Sequence, residues 1–199
     1  MKDYYLEGEE RFGPVTSRLY HMAAVLPLMK RFYGFVLDDM SESGAKEVLD
    51  VGTGPGDIPL GLAERCKSMH ICAVDPSRSM VKIASGRGRR SGSRVEFRMG
   101  SSRHVPFGRK FDVILLSITY HHWEDKEASL RYLKRFLKKG GEIRIYEHDA
   151  ARLHGILWKL PAVHSIRVEQ VKGEAESAGL EVSGIRRRGS LVRLTLKRV

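Results

Sequence analysis

Glu47-Val-Leu-Asp-Val-Gly-Thr-Gly-Pro-Gly-Asp57 is the stretch that decides the fold. Glu47 to Val51 reads as a buried strand, with Asp50 near its outward end. Gly52, Gly54 and Gly56 follow at every second position, with Thr53 between the first two. A helix is expected from about Asp57. Glycine accepts left-handed backbone angles and leaves no Cβ in the way of a ligand. A helix start just beyond offers unpaired N–H groups. Strand, bare turn and helix start make a floor for a nucleoside-containing ligand. The plainer reading of the same residues is a tight strand–helix turn.

A dinucleotide fingerprint has glycines in the pattern G-x-G-x-x-G, with an acid about twenty residues further on. Gly52 and Gly54 fit it, but the third glycine would fall at position 57, which is Asp. The third glycine comes early, at Gly56, and an acid precedes the turn, at Asp50. A second apolar run, Ile71-Cys-Ala-Val-Asp75, also ends in an acid and leads into Pro76, Ser77 and Met80. A carboxylate there can accept two hydrogen bonds from ribose hydroxyls. It can also cap a helix that starts with proline at its first position. Both roles are compatible, because Ser77 is a second capping residue.

The chain has 199 residues, the length of one domain with a real core. No apolar run approaches a membrane span. The acidic N-terminus is unlike a secretory signal, and the two cysteines, Cys66 and Cys72, suit a reduced, cytoplasmic setting. The net charge is +11, and part of the excess is clumped at Arg87–Arg94, read as a loop, and at Arg186–Arg188. These basic loops either contact RNA or are simply solvated.

Thr16 to Met40 has helical spacing, with Pro27 expected to break or kink it. Further helices are expected over Ile58–Lys67, from Ser77 to Ala84 or Arg87, over Glu127–Lys138 and over Val168–Ala178. Strands are expected at His70–Val74, Val95–Met99, Phe111–Ser117 and Glu142–Tyr146, the third of them a near-continuous apolar run as in a buried parallel sheet. Lys138-Lys-Gly-Gly141 reads as a helix stop. Leu180–Ile185 and Leu191–Leu196 read as an antiparallel pair turning at Gly189 and Ser190. Polar groups gather at the carboxyl ends of the strands, where open α/β sheets bind ligands. The adjacent His121 and His122 have no third ligand at a helpful spacing, so no metal is expected.

The Asp-x-Gly-x-Gly-x-Gly turn resembles motif I of the class I S-adenosylmethionine (SAM) methyltransferases. Val-Asp-Pro-Ser with Met80, Gly100-Ser-Ser-Arg-His-Val-Pro-Phe107, and the His-His segment ending at Asp125 resemble later parts of the same family. The branch is similar to the ubiquinone/menaquinone-type and small-molecule methylases, and the likeness runs from about Lys46 to Glu147. It implies an α/β, Rossmann-like, seven-stranded, mostly parallel sheet, with helices on both faces and the last strand antiparallel. Residues 1–45 become an N-terminal helical cap, 46–147 the SAM-binding core, and 148–199 an acceptor-side insert and terminal strands. SAM is the implied cofactor and S-adenosylhomocysteine (SAH) its product.

The resemblance also assigns roles. Tyr20 touches the methionine end of SAM, and Asp50 orders its ammonium. Gly52, Thr53, Gly54 and Gly56 underlie the methionine and ribose. Asp75 holds the ribose hydroxyls, with Pro76 and Met80 beside it. Ser101 and Ser102 meet the adenine, although the family usually has Asp where Ser101 stands. Ser117 opens a loop beside the sulfonium. His121, His122 and Glu147 are the candidates for a base, if the acceptor must lose a proton. The Asn/Asp-Pro-Pro-Tyr/Phe motif of base N-methylases is absent after the fourth strand, as is a catalytic Cys for pyrimidine C5 methylation. A small-molecule acceptor is therefore expected. RNA or protein is the alternative, and a catalytically silent SAM-binding module is a further one.

Overall fold

The computed structural model describes residues 27–153 and 165–199. Helix α1 (Pro27–Ser41) begins at the proline expected to interrupt a longer helix. Strand β1 (Glu47–Val51), α2 (Asp57–Arg65), β2 (His70–Asp75), α3 (Arg78–Arg90) and β3 (Glu96–Met99) follow. Then come β4 (Phe111–Ser117), a 3-10 turn at Tyr120–His122, α4 (Lys126–Leu133) and β5 (Leu137–Asp149). The short β6 (Ser165–Ile166), α5 (Val168–Ser177), β7 (Leu180–Arg188) and β8 (Leu191–Arg198) complete the described chain. Tyr20, most of the expected cap and most of the acceptor-side insert lie outside the described residues.

The sheet order is β3-β2-β1-β4-β5-β8-β7, with β6 beside β5, so a two-residue strand joins the seven expected. Strands β1 to β5 are parallel to their neighbours, and β8 runs antiparallel to both β5 and β7. Parallel β1, β2 and β4 are covered on both sides, which explains their unbroken apolar runs. On one face Phe32, Phe35, Val36 and Met40 of α1 meet Ile58 and Leu62 of α2, Val48, Leu115 and Tyr146. On the other, Leu130 and Leu133 of α4 and Val171 and Ala175 of α5 meet Leu49, Cys72, Ile114, Ile145 and Leu194. The order reverses at β1 and β4, the switch point where α/β sheets open a crevice.

Three expectations change. The helix expected to run to Lys138 ends at Leu133, and Lys138 to Gly141 belong to β5. The cause is crowding: a Cβ on Gly141 would lie 2.8 Å from the Phe111 carbonyl oxygen, and the β4–β5 register shifts there. The glycines serve the strand rather than a helix stop. Glu147 and His148 therefore lie within β5. Second, the arginine stretch from Arg87 is not all loop, because Arg87 to Arg90 form the last turn of α3. Third, Arg186–Arg188 are strand residues of β7 with acidic partners: Asp39 and Glu42 for Arg186, Asp149 for Arg187 and Asp38 for Arg188.

Candidate active site

The glycine turn is held from two sides. The Gly52 and Thr53 N–H groups both donate to the Val74 carbonyl, at 2.9 and 3.0 Å, stitching the turn to the end of β2. Gly54 N–H donates to Asp75 Oδ2 and Ser77 N–H to Asp75 Oδ1, each at 2.8 Å. From behind, Arg87 donates to the Pro55 carbonyl at 2.8 Å and to Asp57 at 2.7 Å. Sequence reading missed this role, because the contact spans about thirty positions and no local signal marks it. Gly52, Gly54 and Gly56 all have positive φ. A Cβ on Gly52 would meet the Thr119 hydroxyl oxygen at 2.1 Å, whereas one on Gly54 would project into open space. The loop after β4 thus sits directly on the first glycine, and the second faces the crevice.

Asp50 stands beneath this turn. It is 1% exposed, and neither of its carboxylate oxygens has a hydrogen-bond partner among the described residues. Burial pushes its carboxyl up to about 7; the neighbouring Thr53 hydroxyl opposes the shift and the Asp75 charge adds to it. A buried carboxylate without a partner is costly, and such a group at the floor of a crevice marks a place for a cation.

Ser77, not Asp75, caps α3: its hydroxyl accepts from Met80 N–H. Pro76 and Met80 are buried beside it. Ser101 pairs with His104 through both backbone groups, and its hydroxyl accepts from Arg103 N–H at 3.2 Å. Its neighbour Ser102 turns its hydroxyl inward to Ser129 of α4, at 2.9 Å. Ser117 ends β4, and Ile118 follows with φ +49°, the only non-glycine residue at positive φ among the described residues. A β-branched residue there stores about 1–3 kcal/mol of strain, which turns the chain over Gly52.

Two of the three candidate bases meet. His121 Nδ1 lies 3.0 and 2.9 Å from the two carboxylate oxygens of Glu147, and the His121 N–H also points to Glu147 at 3.4 Å. The Glu147 side chain is fully buried. His122 stands beside His121, with ring centroids 3.9 Å apart. Tyr120 anchors the turn by donating to Glu174 of α5 at 2.5 Å. Burial and then that carboxylate push the Tyr120 phenol above its ordinary range, so it remains a donor. At the opposite end of the strands, His70, Cys72 and Glu96 bring ligand atoms within 4.8 Å of one another. The Arg109 guanidinium already lies against them, 2.9 Å from His70 and 3.5 Å from Glu96.

Residues 48–141 match a family model described as a methyltransferase domain. Over that stretch, just under half of the chain, it is similar to the class I SAM-dependent methyltransferases. SAM is the cofactor of these enzymes. A demethylmenaquinone methyltransferase of Thermotoga maritima is 31% identical over 113 residues, which are 56% of this chain and 48% of that protein. The chain thus spans about half of that relative's length. Two solved structures share the fold. A SAM-dependent methyltransferase of Aquifex aeolicus has a TM-score of 0.78 at 22% identity, covering 95% of this chain and 100% of its own. An O-methyltransferase from neocarzinostatin biosynthesis, solved with SAH and 1,4-dihydroxy-2-naphthoic acid, has a TM-score of 0.74 at 20% identity, covering 94% and 59%. The residues present fit SAM: a buried carboxylate with no hydrogen-bond partner among the described residues, suited to its ammonium, and a turn on whose middle glycine a Cβ would meet no described residue.

Proposed function

We propose that this methyltransferase moves the methyl group of SAM to a small-molecule acceptor. The observation that carries the reading is Asp50, a buried carboxylate under a glycine turn whose oxygens have no hydrogen-bond partner among the described residues. It supplies the charge that the methionine ammonium of SAM answers. Gly52, Thr53, Gly54 and Gly56 lie beneath the methionine and ribose. Asp75, which accepts from the Gly54 and Ser77 N–H groups at the end of β2, lies where ribose hydroxyls would meet a carboxylate. Pro76 and Met80 wall that side. The Ser101 hydroxyl and the Ser102 N–H take the adenine edge, and Ser117 opens the loop that faces the sulfonium. Tyr20 belongs to the methionine end. SAM supplies an already activated methyl group, so the protein's main task is alignment.

A small acceptor is favoured over nucleic acid by the fate of the arginines. Arg87 and Arg186–Arg188 are occupied by acidic partners of the same chain. The Thermotoga relative is named for a quinone precursor, and the neocarzinostatin enzyme was solved with a naphthoic acid. An aromatic acceptor of that size is the reading adopted.

Calorimetry with SAH tests it. Asp50→Asn and Asp75→Ala should each weaken SAH binding by at least about tenfold, or ~1.4 kcal/mol, in variants that remain folded by circular dichroism. Unchanged affinity in both would remove the crevice from the account.

A further inference from the structure

We propose that His70, Cys72 and Glu96, with Glu47 at their rim, form a binding site for a thiophilic divalent metal ion of the zinc type, and that Arg109 is the cation that fills the place in the metal-free protein. The site lies at the ends of the strands opposite the crevice and does not depend on the function proposed above.

The placement follows from the sheet. His70 and Cys72 are two residues apart on β2, so their side chains leave the same face. In the parallel register Glu47 of β1 stands beside His70, and Glu96 of β3 stands beside Cys72. Three adjacent strands thus present a nitrogen, a sulfur and two carboxylates on one face. The nitrogen, the sulfur and a Glu96 oxygen all lie within 4.8 Å of one another. His70 Nε2 is 3.9 Å from Glu96 Oε1, and His70 Nδ1 is 3.7 Å from Glu47 Oε2. A tetrahedral ion with bonds of about 2.0–2.3 Å spaces its donors roughly 3.5 Å apart. Rotations of the partly exposed His70 and Glu96 side chains, by about 1 Å at their tips, close the set around such an ion. The strands that carry the donors need not move.

Donor chemistry chooses the metal. A buried sulfur with an imidazole and a carboxylate suits zinc and its neighbours, whereas calcium and magnesium take oxygen. Cys72 is 0% exposed. Burial, and then the Glu96 charge, push its thiol up to about 11, with Arg109 opposing. The thiol is therefore protonated in the metal-free protein. On binding, the S–H bond breaks, the proton goes to solvent, and the electron pair left on sulfur forms the bond to the ion.

Arg109 occupies the place without fitting it. Its guanidinium is 2.9 Å from His70 Nδ1 but 3.6 Å from Glu47 and 3.5 Å from Glu96. A charge-assisted N–H to carboxylate bond is about 2.7–2.9 Å long. The guanidinium thus balances two carboxylates without bonding either, and Glu47 Oε2 stays buried with no hydrogen-bond partner among the described residues. A guanidinium only donates, so the imidazole nitrogen it meets holds a lone pair, which is what a metal takes. Arg109 follows Gly108 on the β3–β4 connection, and its side chain is 41% exposed, so it can swing into solvent as the ion enters. Arg98 stays on the other Glu96 oxygen, at 3.0 Å. The exchange is neutral in charge: one guanidinium and one proton leave as a divalent ion arrives.

Cobalt(II) is the probe. Chelator-treated protein titrated with Co²⁺ should develop a thiolate-to-cobalt charge-transfer band and tetrahedral d–d bands that saturate at one ion per chain, and zinc should abolish them. Cys66→Ser should keep the bands, and Cys72→Ser should lose the charge-transfer band. His70→Ala should weaken binding by at least about tenfold. Arg109→Ala removes the competing cation from an exposed position and should tighten binding by about threefold or more. Zinc should raise the melting temperature and leave SAH affinity within about threefold. A missing charge-transfer band in the wild type, a band that survives Cys72→Ser, or unchanged or weaker binding in Arg109→Ala overturns the site. If Cys72→Ser does not fold, His70→Ala and Arg109→Ala decide. Loss of SAH binding on adding zinc would put the ion in the crevice and also overturns the proposal.

Discussion

Asp39 and Asp50 are both buried carboxylates on the α1 side of the sheet, and the chain surrounds them in opposite ways. Asp39, on α1, receives Arg144 at 3.0 Å, Arg186 at 2.7 Å, Arg193 at 2.9 Å and the Tyr146 hydroxyl at 2.5 Å. Burial pushes its carboxyl up, but Tyr146, Arg186 and Arg193 together outweigh this and hold it below the ordinary range. Asp50, two residues beyond Val48 on β1, has no cation beside it among the described residues, and burial raises it to about 7. One carboxylate has been given its cations by residues 105 to 154 positions away. The other, on the proposed function, takes its cation from the methionine end of SAM. The difference separates a group that holds the fold from one that the fold supports for use.

The largest effect should come from Asp39→Ala, which takes a shared carboxylate from three guanidinium groups and leaves Arg193 without an acidic partner among the described residues. Urea unfolding should show a loss of about 3–5 kcal/mol, with SAH affinity little changed in the folded fraction. A loss below about 1 kcal/mol would mean that the arginines find other partners, and the contrast would fail.

Asp50→Asn should act in the opposite direction on stability. The folded pKa of Asp50 lies above its unfolded value of about 3.9. The native state therefore binds the extra proton, and stability from this group falls as pH rises from about 4 to about 7. Above that the cost is constant, roughly 4 kcal/mol at most for a shift of about three units. The ligand-free Asn variant should be more stable than wild type by about 2–4 kcal/mol at pH 8 and nearly equal at pH 4, as read by thermal melts. An equal difference at both pH values would show that burial does not raise the Asp50 pKa above its unfolded value.

The glycines sharpen the contrast at smaller scale. Gly52→Ala places a methyl group against Thr119 and should cost about 1–3 kcal/mol. Gly54→Ala meets nothing and should cost only about 1 kcal/mol from its left-handed backbone. It should nevertheless weaken SAH binding, since its methyl enters the space assigned to the ligand. Smallest of all is Asp38→Asn. Asp38 pairs with Arg65 and Arg188, but its side chain is 45% exposed, so unfolding should move by less than about 1 kcal/mol.

The repeating strand–turn–helix plan was legible because its signals are local. Apolar runs, glycines and acids at strand ends all fall within a dozen residues of one another, and Asp50 and Asp75 stand near the carboxyl ends of β1 and β2 as the sequence places them. What escaped was set by distance. His121 and Glu147 were named separately as bases, and only the β4–β5 pairing brings residues 26 positions apart into one hydrogen bond. Arg87 looked like the start of a basic loop because its partner is 30 residues earlier. Lys138-Lys-Gly-Gly141 has the composition of a helix end, but its conformation follows from how closely the chain passes Phe111. The Ser102 hydroxyl faces Ser129 for a similar reason, since α4 packs against that loop.

Arg87 has one more consequence. The hinge of the cofactor crevice is braced by a side chain near the far end of α3, so the two behave as one mechanical part. Heat that frays the last turn of that helix will slacken the crevice while the sheet is still intact. The protein should thus lose its grip on the nucleoside some degrees before it melts, and amide exchange at Gly56 and at Arg90 should accelerate together.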